Sequence, residues 1–139
     1  MSKGLFGFGI LNIEKNDLRN KVKKTYELIY KHETRDINTY EERQMRDLIS
    51  EVSRQLSQKL PSLDYKESNT VSKRLSDFSY HIDALPVKEL TLKYDQLISQ
   101  VHWCVKMSSN SDIIFGENFN KFLEDPLGYG TKRDKIIKR

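Results

Sequence analysis

Glycine is missing from the whole stretch between Gly9 and Gly116, and only Pro61 and Pro86 interrupt that stretch. A β-rich fold of this size needs many tight turns, which draw heavily on glycine and proline. The chain of 139 residues is long enough to bury one substantial core, whereas two separate cores would each be marginal. We therefore expect one all-α domain, an antiparallel four-helix bundle with a short C-terminal helix and a basic tail.

Apolar residues recur at three- and four-residue steps in four segments, the spacing that places them on one face of a helix. We expect a capping box at Thr39 and Glu42, and Pro61 and Pro86 as helix ends. The predicted helices run from about Asn12 or Asn16 to His32, from Thr39 to Leu60, from Ser68 or Asn69 to Pro86, and from Pro86 to Met107. Residues expected in the core are Leu48, Val52, Leu56, Leu75, Phe78, Leu97 and Val101.

The bundle is expected to cover residues 12–107, between an apolar N-terminal arm (1–11) and a C-terminal extension (108–139). In the extension we expect a loop at 108–112, a short helix at 118–124, and then a tail released by Pro126, Gly128 and Gly130. In the arm, apolar side chains such as Leu5, Phe6 and Phe8 require a place to be buried. Three places remain open: one end of the bundle, a groove of a partner, and a membrane interface beside the first helix.

The net charge of +4 is unevenly distributed. Residues 15–35 carry +4 and residues 131–139 carry +4, while residues 36–130 carry −4. Clustered positive charge attracts nucleic acid, anionic lipid or an acidic protein surface, and a solvated helix face with a frayed end is the alternative. The basic residues chosen as candidate contacts are Lys23, Lys24 and Lys31 in the first helix and Lys132, Arg133, Lys135, Lys138 and Arg139 in the tail.

Several features favour the cytoplasm. Apolar runs reach only three or four residues, far below the roughly 18 needed to cross a bilayer. Asn12, Glu14 and Lys15 follow the apolar N-terminal stretch, where a secretory signal would have small residues. Cys104 is the single cysteine, so no intramolecular disulfide can form. The frequent Lys, Asn, Ile and Ser residues are typical of a low-GC genome, which favours a bacterial or phage origin.

No cofactor or metal is expected. The three histidines, His32, His81 and His102, fall on different predicted helices, and none has the same-face His or Cys neighbour of a helical metal site. Cys104 lies at the edge of the fourth helix's apolar face, which favours a buried small hydrophobic residue over a nucleophile.

Arg74 and His81 are separated by six residues, which would stack both on one face of the third predicted helix. This Arg-x6-His pattern resembles the ribonuclease motif of HEPN domains, which are helical bundles of comparable size. The resemblance implies that His81 acts as acid and base while Arg74 holds the scissile phosphate. The chain departs from the family at Leu75, where HEPN domains usually have a polar residue.

Three functions are compatible with these features of the sequence. The first is a small non-catalytic interaction protein, an adaptor, inhibitor or accessory subunit that binds another protein. This function is favoured because the two ends carry apolar and basic features that a bundle does not require. The second is a basic accessory subunit that associates with nucleic acid through the first helix and tail. The third is a HEPN-like ribonuclease.

Overall fold

The computed structural model describes the backbone of residues 3–128, 130 and 132–137, and side chains within that range from Lys15 onward, except at Asp134. These residues form helices and no strand, so the predicted all-α class is confirmed. The helices are α1 (Lys3–Thr34), α2 (Thr39–Lys59), a 3-10 turn (Leu60–Ser62), α3 (Ser68–Ser79), α4 (Val87–Met107), α5 (Ser111–Phe115), α6 (Phe119–Glu124) and a second 3-10 turn (Arg133–Lys135). No helix among the described residues combines the length and the apolar character needed to span a membrane.

The first helix begins much earlier than its predicted start at Asn12 or Asn16. α1 already includes Lys3, so residues 3–11 belong to this helix, although they were predicted to form a separate arm. The predicted start was too late, and the early start is compatible with Gly4, Gly7 and Gly9 because single glycines weaken a helix without ending it.

The second helix begins with a capping box one residue earlier than predicted. The Asn38 side chain accepts a hydrogen bond from the backbone N–H of Glu41 (2.7 Å), and the Glu41 carboxylate accepts one from the Asn38 N–H (3.2 Å). The predicted pair, Thr39 with Glu42, has the same three-residue spacing. Asparagine caps helices at least as well as threonine, so the sequence pattern alone leaves the two registers equivalent.

The third helix is shorter than predicted, because it ends at Ser79 instead of continuing to Pro86. Ile82 is still buried, four residues after the buried Phe78, and this spacing imitates a continuing helix. In the turn that follows Ser79, Arg46 of α2 donates to the carbonyl oxygens of Ile82 (2.7 Å) and Leu85 (2.9 Å). These bonds satisfy the carbonyl groups of a segment that leaves the helix early.

The core joins residues of all four long helices and of the C-terminal extension. Leu48 is only half-buried, unlike the six other residues predicted for the core, all of which are buried.

Ser108–Asp112 was predicted to be a loop, but α5 already begins at Ser111. The buried apolar residues of the extension are Phe115, Phe119, Leu123, Leu127, Ile136 and Ile137.

Arg19 of α1 attaches the extension to the bundle. Its guanidinium donates to the carbonyl oxygens of Phe115 (3.4 Å) and Glu117 (2.6 Å). The same group lies 5.4 Å from the centroid of the Phe119 ring and 5.6 Å from that of Phe122, within the range of a cation–π contact. The extension is therefore packed against the bundle along its apolar residues.

Candidate interaction groove between the third and fourth helices

A groove follows the contact between α3 and α4, which are antiparallel neighbours. It consists of two adjoining chambers of about 520 Å³ and about 310 Å³, both lined by Arg74 of α3 and Gln100 of α4. The larger chamber extends toward the turn after α3, where His81 lies on its wall. The smaller chamber extends toward the segment before α3, where Tyr65 lines it. We call the two chambers together the α3–α4 groove.

The floor of the α3–α4 groove is apolar because buried core residues form it. Phe78 and Leu97 line the larger chamber, and Val71 and Cys104 line the smaller one. Trp103 lies beside the smaller chamber with 53% of its surface exposed, and its indole N–H donates to the Tyr65 hydroxyl (3.3 Å). An exposed tryptophan beside an apolar floor is a feature of binding surfaces.

Arg74 lies at the junction of the two chambers. One of its guanidinium nitrogens donates to the Gln100 side-chain oxygen (2.7 Å), and within the described part of the chain the guanidinium forms no ion pair. By contrast, Arg43 pairs with Asp47 and Asp83, each at 2.8 Å. Since a guanidinium offers five N–H donors, Arg74 presents a positive charge with spare donors above an apolar floor.

The two residues of the proposed ribonuclease motif lie in the same chamber, although not on one helical face. Arg74 belongs to α3, whereas His81 follows the end of that helix in the turn. Both side chains are exposed, and both line the larger chamber. The expected stacking on a single helix was wrong because α3 ends at Ser79.

The basic residues predicted in the first helix are exposed on α1. Lys23 and Lys24 face solvent, and Lys31 is exposed while its ammonium group pairs with the Glu41 carboxylate (3.4 Å). A fourth lysine, Lys21, was not among the candidates and pairs with Asp17 and Glu51. The side chains of the apolar candidates Leu5, Phe6 and Phe8 lie outside the described residues.

The basic tail is only partly available to a partner. Lys132 and Lys135 are exposed, and Lys138 and Arg139 lie outside the described residues. Arg133 was predicted as one of the basic partner contacts, but its side chain is buried within the chain. Ile136 and Ile137 are buried as well. The segment after Gly130 is therefore packed against the rest of the protein, although a free tail was expected.

Arg133 belongs to a buried polar network around Asp95 of α4. Its guanidinium contacts the Asp95 carboxylate at 2.5 Å and donates to the Leu123 carbonyl oxygen at 3.0 Å. The Tyr26 hydroxyl of α1 donates to the same Asp95 oxygen at 2.8 Å. Burial raises the pKa of Tyr26 well above its usual value, with the Asp95 charge adding to the effect, so Tyr26 remains a hydrogen-bond donor.

This network was missed in the sequence, although a signal for it is present. Thr91, Asp95 and His102 recur at steps of four and seven residues beside the apolar stripe of α4, so they share one helical face. An acidic residue on a face that also contacts the core must find a partner inside the protein. The sequence could not identify that partner as Arg133, which lies 38 residues away.

Two further titratable groups bear on the chemistry of the chain. His102 lies 3.6 Å from the Glu124 carboxylate, but burial and then the Arg133 charge lower its pKa. Cys104 is buried as expected, and burial raises the pKa of its thiol, which disfavours the nucleophilic thiolate. Across the described part of the chain, no three His, Cys, Asp or Glu side chains form a group that would hold a metal ion.

Comparison with known protein families, curated proteins and solved structures finds no match to this chain.

Proposed function

We propose that this protein is a small non-catalytic interaction protein, an adaptor, inhibitor or accessory subunit, that binds another protein through the α3–α4 groove. The observation that carries the proposal is the combination at this groove of an apolar floor, an exposed Trp103 and the guanidinium of Arg74. Tryptophan and arginine are among the residues that dominate the energetics of protein interfaces. We further propose that it acts in the cytoplasm, where the lone Cys104 remains reduced.

The groove is favoured over the basic tail as the principal contact surface. Arg133 is used inside the fold, so it contributes no charge to an external surface. Lys31 is already paired with Glu41, although this exposed pair contributes little to stability and a partner would readily displace it. The α3–α4 groove, in contrast, combines a concave shape with apolar area and an available charge.

Affinity capture from cells of the source organism tests this proposal, with the full chain as bait. A protein partner retained by the unaltered chain should be lost with Trp103→Ala and with Arg74→Glu. Tyr40→Ala and Arg54→Glu are matched controls, because Tyr40 (74% exposed) and Arg54 are exposed residues of α2. Circular dichroism should show the same helix content in all four variants. Partners that are retained equally by every variant would contradict the proposal.

A HEPN-like ribonuclease is the second candidate, and one observation favours it. Arg74 and His81 line one chamber, so a phosphate held by the guanidinium would lie in the same chamber as the imidazole. Incubation of the purified chain with single-stranded RNA tests this candidate. Cleavage that is lost in His81→Ala, with helix content unchanged, would establish the ribonuclease and overturn the non-catalytic proposal. If the unaltered chain and His81→Ala cleave RNA at the same rate, the cleavage comes from a contaminating nuclease and this candidate is eliminated.

A further inference from the structure

We propose that the α3–α4 groove receives an α-helix of the partner, with apolar residues at positions i and i+7 and an aspartate or glutamate at i+3 or i+4. The inference rests on the proposed function, since it names the kind of partner segment that the same groove would bind. Its geometric basis is the spacing of the two chambers, whose apolar lining residues are seven residues apart on both α3 and α4.

The spacing of the chambers sets the spacing of the anchors. Val71 in the smaller chamber and Phe78 in the larger one are seven residues apart on α3. Leu97 and Cys104 are likewise seven residues apart on α4. Seven residues of α-helix rise about 10.5 Å, so a helix lying along the groove would place residues i and i+7 above successive chambers.

The position of Arg74 sets the position of the acidic residue. Arg74 follows Val71 by three residues and precedes Phe78 by four, so it lies midway between the two chambers. A carboxylate at i+3 or i+4 of the bound helix would therefore face this guanidinium and receive paired hydrogen bonds from it. The match of an acidic residue to Arg74 is the charge complementarity that identifies the partner.

The other charged groups of the groove agree with this placement. Arg74 lines both chambers; apart from it, the larger chamber has Lys93 and Asp77, with His81 beside them, and the smaller chamber has Glu67. Positive charge is therefore concentrated at the centre, at Arg74. The acidic residue of the partner therefore belongs at the centre. Glu67 would repel an acidic residue at the end of the partner helix that lies above the smaller chamber.

A helix fits this groove better than an extended strand. Two helices form the walls, and their backbone groups within the groove are already hydrogen-bonded along α3 and α4. An extended segment would therefore leave its own N–H and C=O groups without backbone partners above an apolar floor. A helix satisfies these groups internally and presents only side chains, which is the usual helix-in-groove mode of recognition.

Selection from a displayed peptide library tests the inference with the full chain as target. The probe is a library of helical peptides of about 18 residues, long enough to hold a helix, with the exposed positions randomised. We expect enriched peptides to share two apolar residues seven apart with an acidic residue three or four positions after the first. One enriched peptide should lose about tenfold in affinity with Arg74→Glu and regain it when its acidic residue becomes lysine.

Other outcomes overturn the inference. Enriched peptides with another apolar spacing, without an acidic residue, or with a proline-rich extended pattern would contradict the helical partner, as would a library that yields no enrichment. A chain that is dimeric by sedimentation and becomes monomeric with Arg74→Glu would assign the groove to a second copy. Displacement of the peptide by single-stranded RNA at low concentration would assign it to RNA. If groove-dependent capture from cells succeeds while the selection fails, only the helical inference falls, and if both fail, the proposed function falls too.

Discussion

Removal of the Arg133 side chain should destabilise the fold strongly, because it deprives a buried carboxylate of its cationic partner. Only 1% of the Asp95 side chain and 10% of the Arg133 side chain are exposed, and their charged atoms lie 2.5 Å apart. Breaking a buried ion pair from one side typically costs about 3–5 kcal/mol, since the remaining charge keeps its desolvation penalty. We therefore expect Arg133→Ala to lower the free energy of unfolding by about this amount, a large part of the roughly 5–15 kcal/mol of a small domain.

A urea unfolding titration, monitored by circular dichroism, measures this change in the free energy of unfolding. Lys135→Ala is the matched control, because Lys135 is exposed in the same 3-10 turn, and its removal should change the free energy of unfolding by less than about 0.5 kcal/mol. The double variant Asp95→Asn with Arg133→Met should recover much of the loss, since it removes both charges. If Arg133→Ala and Lys135→Ala have equal free energies of unfolding, the buried ion pair does not stabilise the fold. The C-terminal segment would then contribute no stability to the bundle.

Three further predictions follow from other parts of the molecule. Asn38→Ala should lower the free energy of unfolding by about 1 kcal/mol in urea titration, because it removes the acceptor that caps α2. Burial and the Arg133 charge lower the pKa of His102 below its ordinary 6.5, so the unfolded chain binds a proton more readily. Stability should therefore be retained above about pH 6.5 and decline as the pH falls below it, and His102→Gln should flatten this decline in thermal unfolding. If the first helix contacts nucleic acid, Lys23→Ala with Lys24→Ala should reduce the slope of log affinity against log salt by about 2 for duplex DNA, and an unchanged slope would leave these lysines to solvent.

The sequence was sufficient for the fold class, because the apolar residues of α2 and α4 keep a helical period over five turns or more. It was insufficient where local patterns are equivalent or where tertiary contacts decide. Asn38 and Thr39 offer the same capping chemistry, so the register was open. The end of α3 depends on Arg46, which lies 36 residues before Ile82 and binds its carbonyl oxygen. Periodicity within one helix contains no information on such a contact.

The candidate site was only partly visible in the sequence. Arg74 and His81 were singled out by their spacing, and both line the α3–α4 groove, but the groove itself arises from how two helices pack. Trp103 was not singled out in the sequence, because the exposure of its side chain depends on the neighbouring helix. The role of Arg133 was misjudged because a lysine- and arginine-rich terminus resembles a solvated tail, and only its contact with Asp95 distinguishes it from Lys132 and Lys135.

The most direct test of the central claim uses Trp103, the single tryptophan of the chain, which lies in the α3–α4 groove. Incorporation of 5-fluorotryptophan gives one fluorine resonance, and its chemical shift reports directly on the surroundings of this side chain. Addition of the protein partner captured from cells should shift that resonance and should protect the indole from solvent, because the partner covers the groove. A saturated complex in which the resonance keeps its position and its solvent exposure would contradict the assignment of the groove as the binding surface.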